Sequence, residues 1–312
     1  MPDQSEIQEV NQIISRARIA QNEYEKYGSQ EKYDNAAQAV GWAIMEPKRN
    51  KELAELAVSS TGLGNVNDKI TKNYRKTLGL LRDISNVKTY GIIDENIDKG
   101  ITKIARAIGV IGAVVPSTNP IATPANNIIN SLKCGNAIII SPSPKGIAGC
   151  ERLIHYIHIE FEKIGINKDL VQMIPAPGTK IKTQQMLEET DLVIVTGSQN
   201  NVRRAYTSGT PAIGVGAGNV TVIIDETANL KEAAEKIAAS KTFDNATSCS
   251  SENSIIILDE VYNSFIDELS LVGCATLPRS MENIITDRLW KKGQLNREAI
   301  AQDADILINT LD

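Results

Sequence analysis

Val110-Ile111-Gly112-Ala113-Val114-Val115-Pro116-Ser117-Thr118-Asn119-Pro120 is the stretch from which the fold is read. Its first six residues are apolar or glycine with no polar alternation, the pattern of a strand buried on both faces. The strand stops at Pro116, and a helix follows. Thr123 can cap it, with Pro124 in its first position, where the missing N–H costs nothing. That helix buries Ala125, Ile128, Ile129 and Leu132 and stops at Gly135. Ala137–Ile140 is the next strand. A helix with Ile147, Cys150, Ile154, Ile157, Phe161 and Ile164 on one face follows it. Leu170–Ile174 is a strand, a helix runs through Met186-Leu187, Leu192–Val195 is a strand, and a helix spans Gln199 to Ser208. This alternation predicts an α/β fold with a parallel sheet and helices on both faces. In such sheets ligands bind at the carboxyl ends of the strands.

The pattern differs on either side. Residues 1 to 85 read as helices, with Ile7, Val10, Ile13 and Ile14, then Ala36, Ala37, Val40, Ala43 and Ile44, then Leu53, Leu56 and Ala57 at helical spacing. Thr61-Gly62-Leu63-Gly64-Asn65 has two glycines but no preceding strand, so it is a turn and not a phosphate loop. Residues 86–108 carry short alternating pieces that predict extended segments. After Asn219 the alternation restarts with the strand Val220–Ile224, a helix marked by Ala233, Ala234, Ile237 and Ala238, a strand over 254–258, and a helix with Val261, Phe265 and Leu269. Two domains are therefore expected, 1–219 and 220–312, as suits a chain of 312 residues at ~150 residues per domain.

Composition narrows the function classes. The chain is 42% hydrophobic and 23% charged, with a formal net charge of -5 and no block of Lys/Arg, which argues against nucleic acid and anionic membranes as partners. It has no apolar run of the ~18 residues a spanning helix needs. The N-terminus is polar and acidic, unlike a signal peptide. Cys134, Cys150, Cys249 and Cys274 are widely spaced with no C-x-x-C pair, as reduced cytoplasmic thiols would be. The only histidines, His155 and His158, lie on one helix and count against a His-based zinc site or a Ser-His-Asp triad. Surface or edge packing accounts for both. Cys134, Cys150 and Cys274 read as core residues.

Three loops at strand ends could carry chemistry. In Pro116–Pro124, prolines flank Asn119 and stiffen its backbone; its amide N–H₂ is a suitable donor to an oxyanion, although a turn-and-cap role fits the same residues. Ser141-Pro142-Ser143-Pro144-Lys145-Gly146 suits a ribose or phosphate, or a plain connector. Thr196-Gly197-Ser198 leaves N–H groups at a helix start where Ser198 can cap. Gly214-Val215-Gly216-Ala217-Gly218-Asn219 resembles a dinucleotide fingerprint, but a strand follows it, so close approach of backbone to a ligand or another strand is the better reading. Finally, Phe243-Asp244-Asn245-Ala246-Thr247-Ser248-Cys249-Ser250-Ser251-Glu252 places one cysteine among small polar residues, with room above the sulfur; a structural cysteine more often sits among Val, Ile or Leu.

Taken in order, these pieces resemble the aldehyde dehydrogenase superfamily, and within it the CoA-acylating branch. The matching residues are Pro116-Ser117-Thr118-Asn119-Pro120, Ser141-Pro142-Ser143-Pro144, Val195-Thr196-Gly197-Ser198, Gly214–Asn219, and Lys241–Asn245 leading to Cys249-Ser250-Ser251-Glu252. The resemblance implies a Rossmann-like cofactor domain followed by an α/β catalytic domain. It implies Cys249 as the nucleophile and Asn119, with the backbone N–H of Cys249, as the oxyanion donors. Ser117, Thr118, Ser141, Ser143, Thr196, Gly197, Ser198 and Gly216 would contact the cofactor, NAD or NADP. Ser141 stands where many members have a lysine facing the ribose.

The implied chemistry is thiohemiacetal formation, hydride loss, and a thioester on Cys249. Hydrolytic members of the family carry a glutamate in the segment equivalent to Gly214–Gly218, and this chain has none there. General-base help is worth ~10²–10⁴-fold. The missing glutamate points to acyl transfer from Cys249 to coenzyme A. The small polar surround of Cys249 points to a short or polar aldehyde, and Gly62-Leu63-Gly64-Asn65 and the Ser-Pro-Ser-Pro stretch resemble the sulfoacetaldehyde-using members, with acetaldehyde next. A hydrolytic enzyme and an inactive cofactor-binding fragment are the alternatives. Family members extend well beyond the point where this sequence stops, so a partial catalytic domain is expected, with a homodimer or higher homo-oligomer for the full-length protein.

Overall fold

The computed structural model describes residues 2–216, 218–296 and 298–308. It divides into two units, Met1–Gly62 with Lys69–Ala217, and Leu63–Asp68 with Gly218–Asp312. Four helices come first: α1 (Pro2–Lys26), α2 (Gln30–Met45), α3 (Pro47–Thr61) and α4 (Val66–Ile84). Their ends follow from local chemistry. Ser29 caps α2 by accepting the Lys32 N–H, and Gly62 closes α3 in the left-handed conformation (φ 70°) that a side chain would disfavour. An antiparallel hairpin follows, β1 (Gly91–Asn96) with β2 (Ile101–Ala105), where extended segments were expected.

The first unit is then built as an α/β sheet. β3 (Val110–Val115) leads through α5 (Ala122–Lys133) to β4 (Ala137–Pro142), and through α6 (Ile147–Ile164) to β5 (Val171–Met173). The chain crosses back through α7 (Lys180–Glu189) to β6 (Leu192–Thr196) and through α8 (Gln199–Tyr206) to β7 (Ala212–Val215). The strands are all parallel in the order β5-β4-β3-β6-β7. β3 is central and buried at every residue, which is why its sequence shows no alternation. β7 is an edge strand whose residues alternate between half-buried and exposed. α2 packs on α5 and α6, and α1 on α7 and the strands β3, β4 and β5. The core between these layers includes Val10, Ile14, Val40, Ile44, Ile128, Ile138, Ile139 and Phe161.

The second unit pairs β8 (Val220–Ile224) in parallel with β9 (Glu252–Ile257), and α9 (Leu230–Thr242) packs with α10 (Tyr262–Leu271). Ile224, Ala234, Ile237 and Phe265 form its small core. α11 (Glu282–Leu289), the short ribbon β10 (Trp290–Lys291) with β11 (Gln294–Leu295), and α12 (Ala304–Ile308) complete it.

Four sequence expectations need correction. α5 starts at Ala122 with Ile121 at its cap position and no side-chain cap bond, so Thr123 lies inside the first turn. Pro124 stays in that turn, where backbone N–H groups have no helical partner. Ile164, the last residue of α6, is 45% exposed instead of closing the apolar face. Cys274 is exposed, because it lies beyond the end of α10 and outside the small core. Cys134 is only half-buried, because it occupies the cap position after the last residue of α5 and not the helix's apolar face. Ala217 and residues 309–312 lie outside the described residues.

Candidate active site

The strand order places most of the predicted residues along one edge of the first unit's sheet. From β3 the chain runs outward to β4 and β5, then returns to lay β6 and β7 on the other side of β3. The winding direction therefore reverses between β3 and β6, and the crevice beyond the carboxyl ends of two such strands is where this architecture binds ligands. Ser117, Thr118 and Asn119 follow β3, while Gly197 and Ser198 follow β6, whose last residue is Thr196. Ser141 is the fifth residue of β4 and Ser143 follows it, and Gly216 follows β7. Four neighbouring strands thus deliver eight predicted cofactor residues and Asn119 to the same edge.

Individual side chains can be sorted by what they touch. Ser198 caps α8 by accepting the Asn201 N–H at 3.4 Å. Gly197 has φ 157°, which L side chains rarely adopt. Gly216 lacks a Cβ that would stand 2.8 Å from the Gln199 amide nitrogen. Gly214 likewise lets β7 lie close to Val202 and Tyr206 of α8, so the close approach in this segment is to a helix. Ser141 is buried and shares a hydrogen bond with Thr183 Oγ1 at 3.1 Å, which turns its hydroxyl into the fold. Ser143 is the opposite case: its Oγ is buried with no hydrogen-bond partner among the described residues. Buried hydroxyls are normally bonded, so an orphan at a predicted ribose or phosphate loop fits a ligand that supplies the missing partner.

Asn119 is held from below by α4. Lys72 donates from Nζ to Asn119 Oδ1 at 2.9 Å, and Lys69, one turn earlier, donates to the Thr118 carbonyl at 3.0 Å. Both lysines are only 2% exposed. The sequence reading assigned neither of them a role. The signal was present: the buried positions of α4 are Lys69, Lys72, Asn73 and Thr77, polar residues at the i, i+3, i+4 spacing where an apolar stripe belongs.

Cys249 lies in the second unit and is exposed. The turn that carries it is tightly bonded. Ser251 donates to the Ser248 carbonyl through both its N–H (3.1 Å) and its hydroxyl (3.0 Å). Upstream, Asp244, Asn245 and Ala246 all have left-handed backbone, with φ of 51°, 51° and 57°. Three consecutive non-glycine residues in this region are strained. Asp244, fully buried, anchors them. Its carboxylate accepts the Asn65 N–H at 3.1 Å and the Thr247 hydroxyl, and its own N–H donates to Asp68 Oδ2 at 2.7 Å. Asn65 and Asp68 also bond to each other, Asn65 Oδ1 accepting the Asp68 N–H at the start of α4. Downstream, Glu252 begins β9 with Oε2 buried and without a partner among the described residues.

The other thiols are differently placed. Burial pushes Cys150 up to about 12, which keeps it a protonated core thiol. Burial also raises Cys134, with Lys133 pulling weakly the other way. His158 is held low by burial and bonds through Nε2 to the Val171 carbonyl at 2.8 Å, while His155 is exposed.

The profile of the aldehyde dehydrogenase family matches residues 2–272. The chain belongs to the aldehyde dehydrogenase family. It is 53% identical over 303 residues to the sulfoacetaldehyde dehydrogenase (acylating) of Cupriavidus necator, covering 97% of this chain and 61% of that protein. Among solved structures, an acetylating aldehyde dehydrogenase from Geobacillus thermoglucosidasius superposes with a TM-score of 0.93 at 31% identity, covering 100% of this chain and 68% of the other. A propionaldehyde dehydrogenase from Rhodopseudomonas palustris, solved with bound CoA and an acylated cysteine, gives a TM-score of 0.85 at 26% identity, covering 97% and 69%. This chain therefore spans less than two thirds of the length of its Cupriavidus relative. The family fold agrees with the parallel-sheet architecture read from residues 110–208.

Proposed function

We propose that the protein is a CoA-acylating aldehyde dehydrogenase that converts a short aldehyde, CoA and NAD(P)⁺ into acyl-CoA and NAD(P)H. Sulfoacetaldehyde is the preferred candidate, on the strength of the Cupriavidus relative's name, and acetaldehyde the next. The thiolate of Cys249 adds to the aldehyde carbon. The Asn119 amide and the Cys249 backbone N–H take the charge that develops on oxygen. Bound NAD or NADP supplies the hydride acceptor. Ser143, whose hydroxyl has no partner among the described residues, Ser117, Thr118, the Thr196–Ser198 turn and Gly216 at the end of β7 would hold the cofactor in place. The acyl group left on Cys249 is then released by the thiol of CoA, a better nucleophile than water. The complete enzyme is proposed to be a cytoplasmic homo-oligomer.

The observation that carries acyl transfer over hydrolysis is the segment Gly214–Asn219, which contains no carboxylate to activate water. One observation favours the hydrolytic alternative: a Glu252 carboxylate oxygen, three residues beyond Cys249, that has no partner among the described residues. Mixing protein, aldehyde, CoA and cofactor while following reduced-nicotinamide absorbance tests both. Turnover should require CoA and vanish in Cys249→Ser. CoA-independent turnover that disappears in Glu252→Gln would establish hydrolysis instead.

A further inference from the structure

We propose that Lys72 is a positioning residue for Asn119: its buried ammonium fixes the direction of the carboxamide and strengthens the N–H₂ as an oxyanion donor. The proposal rests on the reading of Asn119 given above and adds to it a residue far away in sequence.

A carboxamide can rotate by half a turn with little change in shape, exchanging its oxygen for its nitrogen. Only one of the two orientations can serve an oxyanion. In this protein Lys72 Nζ stands 2.9 Å from Asn119 Oδ1. Rotation would bring the NH₂ group against the ammonium, donor against donor, so the lysine excludes the unproductive orientation. The cation also draws electron density toward the amide oxygen. This leaves the N–H hydrogens more positive, in the way that linked hydrogen bonds polarise one another inside a protein.

Burial makes packing a poor explanation for these lysines. Lysine is almost never fully buried, because its ammonium must leave water. Lys69 and Lys72 are nonetheless buried one turn apart, and they grip adjacent residues of one loop. Lys69 holds the Thr118 backbone, and Lys72 holds the Asn119 side chain. Pro116 and Pro120 restrict the backbone around them but leave the Asn119 side-chain torsions undetermined. Leu or Met at either position would fill the same volume without the desolvation cost, so packing alone does not account for two buried ammonium groups at these positions.

The test separates the oxyanion from the thiolate. p-Nitrophenyl acetate acylates Cys249 through an oxyanion, whereas iodoacetamide alkylates it without one. Asn119→Ala should slow acylation by ~10²-fold, the usual effect of removing one oxyanion donor. Lys72→Met should slow it at least ~10-fold, and Lys72→Gln, which keeps an uncharged donor, by less, with iodoacetamide alkylation of both within about twofold of the parent. The double variant N119A/K72M should be no slower than N119A alone, because both act through one group. If Lys72→Met does not fold, Lys72→Gln carries the same comparison. Acylation at the parental rate in the folded Lys72 variants, or full multiplicative slowing in the double variant, would overturn the role of Lys72. An unaffected Asn119→Ala would instead remove the oxyanion role itself.

Discussion

Asp244→Ala is the perturbation that best tests how the nucleophile's turn is held. The side chain is completely buried and anchors a left-handed run that begins at Asp244 itself (φ 51°, ψ 37°). Truncation removes an acceptor from the Asn65 N–H and from the Thr247 hydroxyl. Hydrogen bonds to a charged group are worth ~1.5–3 kcal/mol each. Alanine also tolerates left-handed backbone less well than aspartate, at a cost of ~1 kcal/mol. Against this stands the desolvation of the carboxylate, which is relieved. The net loss should be ~3–5 kcal/mol, near the upper end for a single substitution. Asp244→Asn keeps one acceptor and the left-handed preference, so it should lose ~1–3 kcal/mol. Urea unfolding followed by hydrogen exchange at residues 243–251 reads both numbers. Because the chain has two units, the transition should split, with the signal from residues 218–296 moving to lower urea. A loss below ~0.5 kcal/mol in Asp244→Ala, with unchanged exchange around Cys249, would refute the anchoring argument, since surface-like behaviour is incompatible with it.

Other consequences can be checked separately. Gly109→Ala would place a Cβ 2.2 Å from Asp191 Oδ2, the atom that accepts the Val110 N–H at 2.7 Å and pairs with Arg18 at 2.9 Å. A loss of ~2–4 kcal/mol is expected in thermal or urea unfolding, from the clash together with the positive φ of 134°. Brief iodoacetamide treatment followed by peptide mapping should label the exposed Cys249 and Cys274 and leave the core thiol Cys150 untouched. Burial by itself would raise Glu160, but its hydrogen bonds from Lys163 and Arg49, each 2.7 Å, outweigh that and hold it below the ordinary 4.5. A depressed carboxylate stabilises the fold above its unfolded value and loses that contribution as pH falls through its folded value. Glu160→Gln should therefore flatten the dependence of the melting temperature on pH below about 4.5, and an identical slope in parent and variant would show that Glu160 does not titrate differently on folding.

The legible part of this protein is the part where one period dominates. Val110–Val115 and Ala137–Ile140 are uninterrupted apolar runs because both faces of a central parallel strand are covered, and that burial is written directly into the sequence. Once the strands are known to be parallel, their loops must share an edge, so Ser117–Asn119, Ser141–Ser143 and Thr196–Ser198 could be grouped before any coordinates. Strand order was the missing step. Nothing local in residues 110–215 states that β6 lies beside β3, yet that adjacency places the reversal of winding next to Asn119. Side-chain direction was hidden too: Ser141 and Ser143 read alike in sequence, but the strand continues through Pro142 and turns one hydroxyl onto Thr183 while leaving the other without a partner among the described residues.

Polar burial escaped the reading for a more general reason. Periodicity locates a helix face by its apolar residues, and α4 breaks the rule by burying Lys69, Lys72, Asn73 and Thr77. On a plot of hydrophobicity this face looks like solvent. The same inversion hides Asp244, a carboxylate in a run of small polar residues that looks like an exposed turn and is instead completely buried. In both places charge is removed from water to hold something that apolar contacts cannot orient: the carboxamide of Asn119 in the first unit, and the left-handed backbone ahead of Cys249 in the second. An apolar side chain fills a volume but does not select between the two faces of an amide or satisfy an N–H in a strained turn, whereas an ion at hydrogen-bond distance does both. The residues that break the helical and turn patterns are therefore the ones that fix the geometry the proposed chemistry needs.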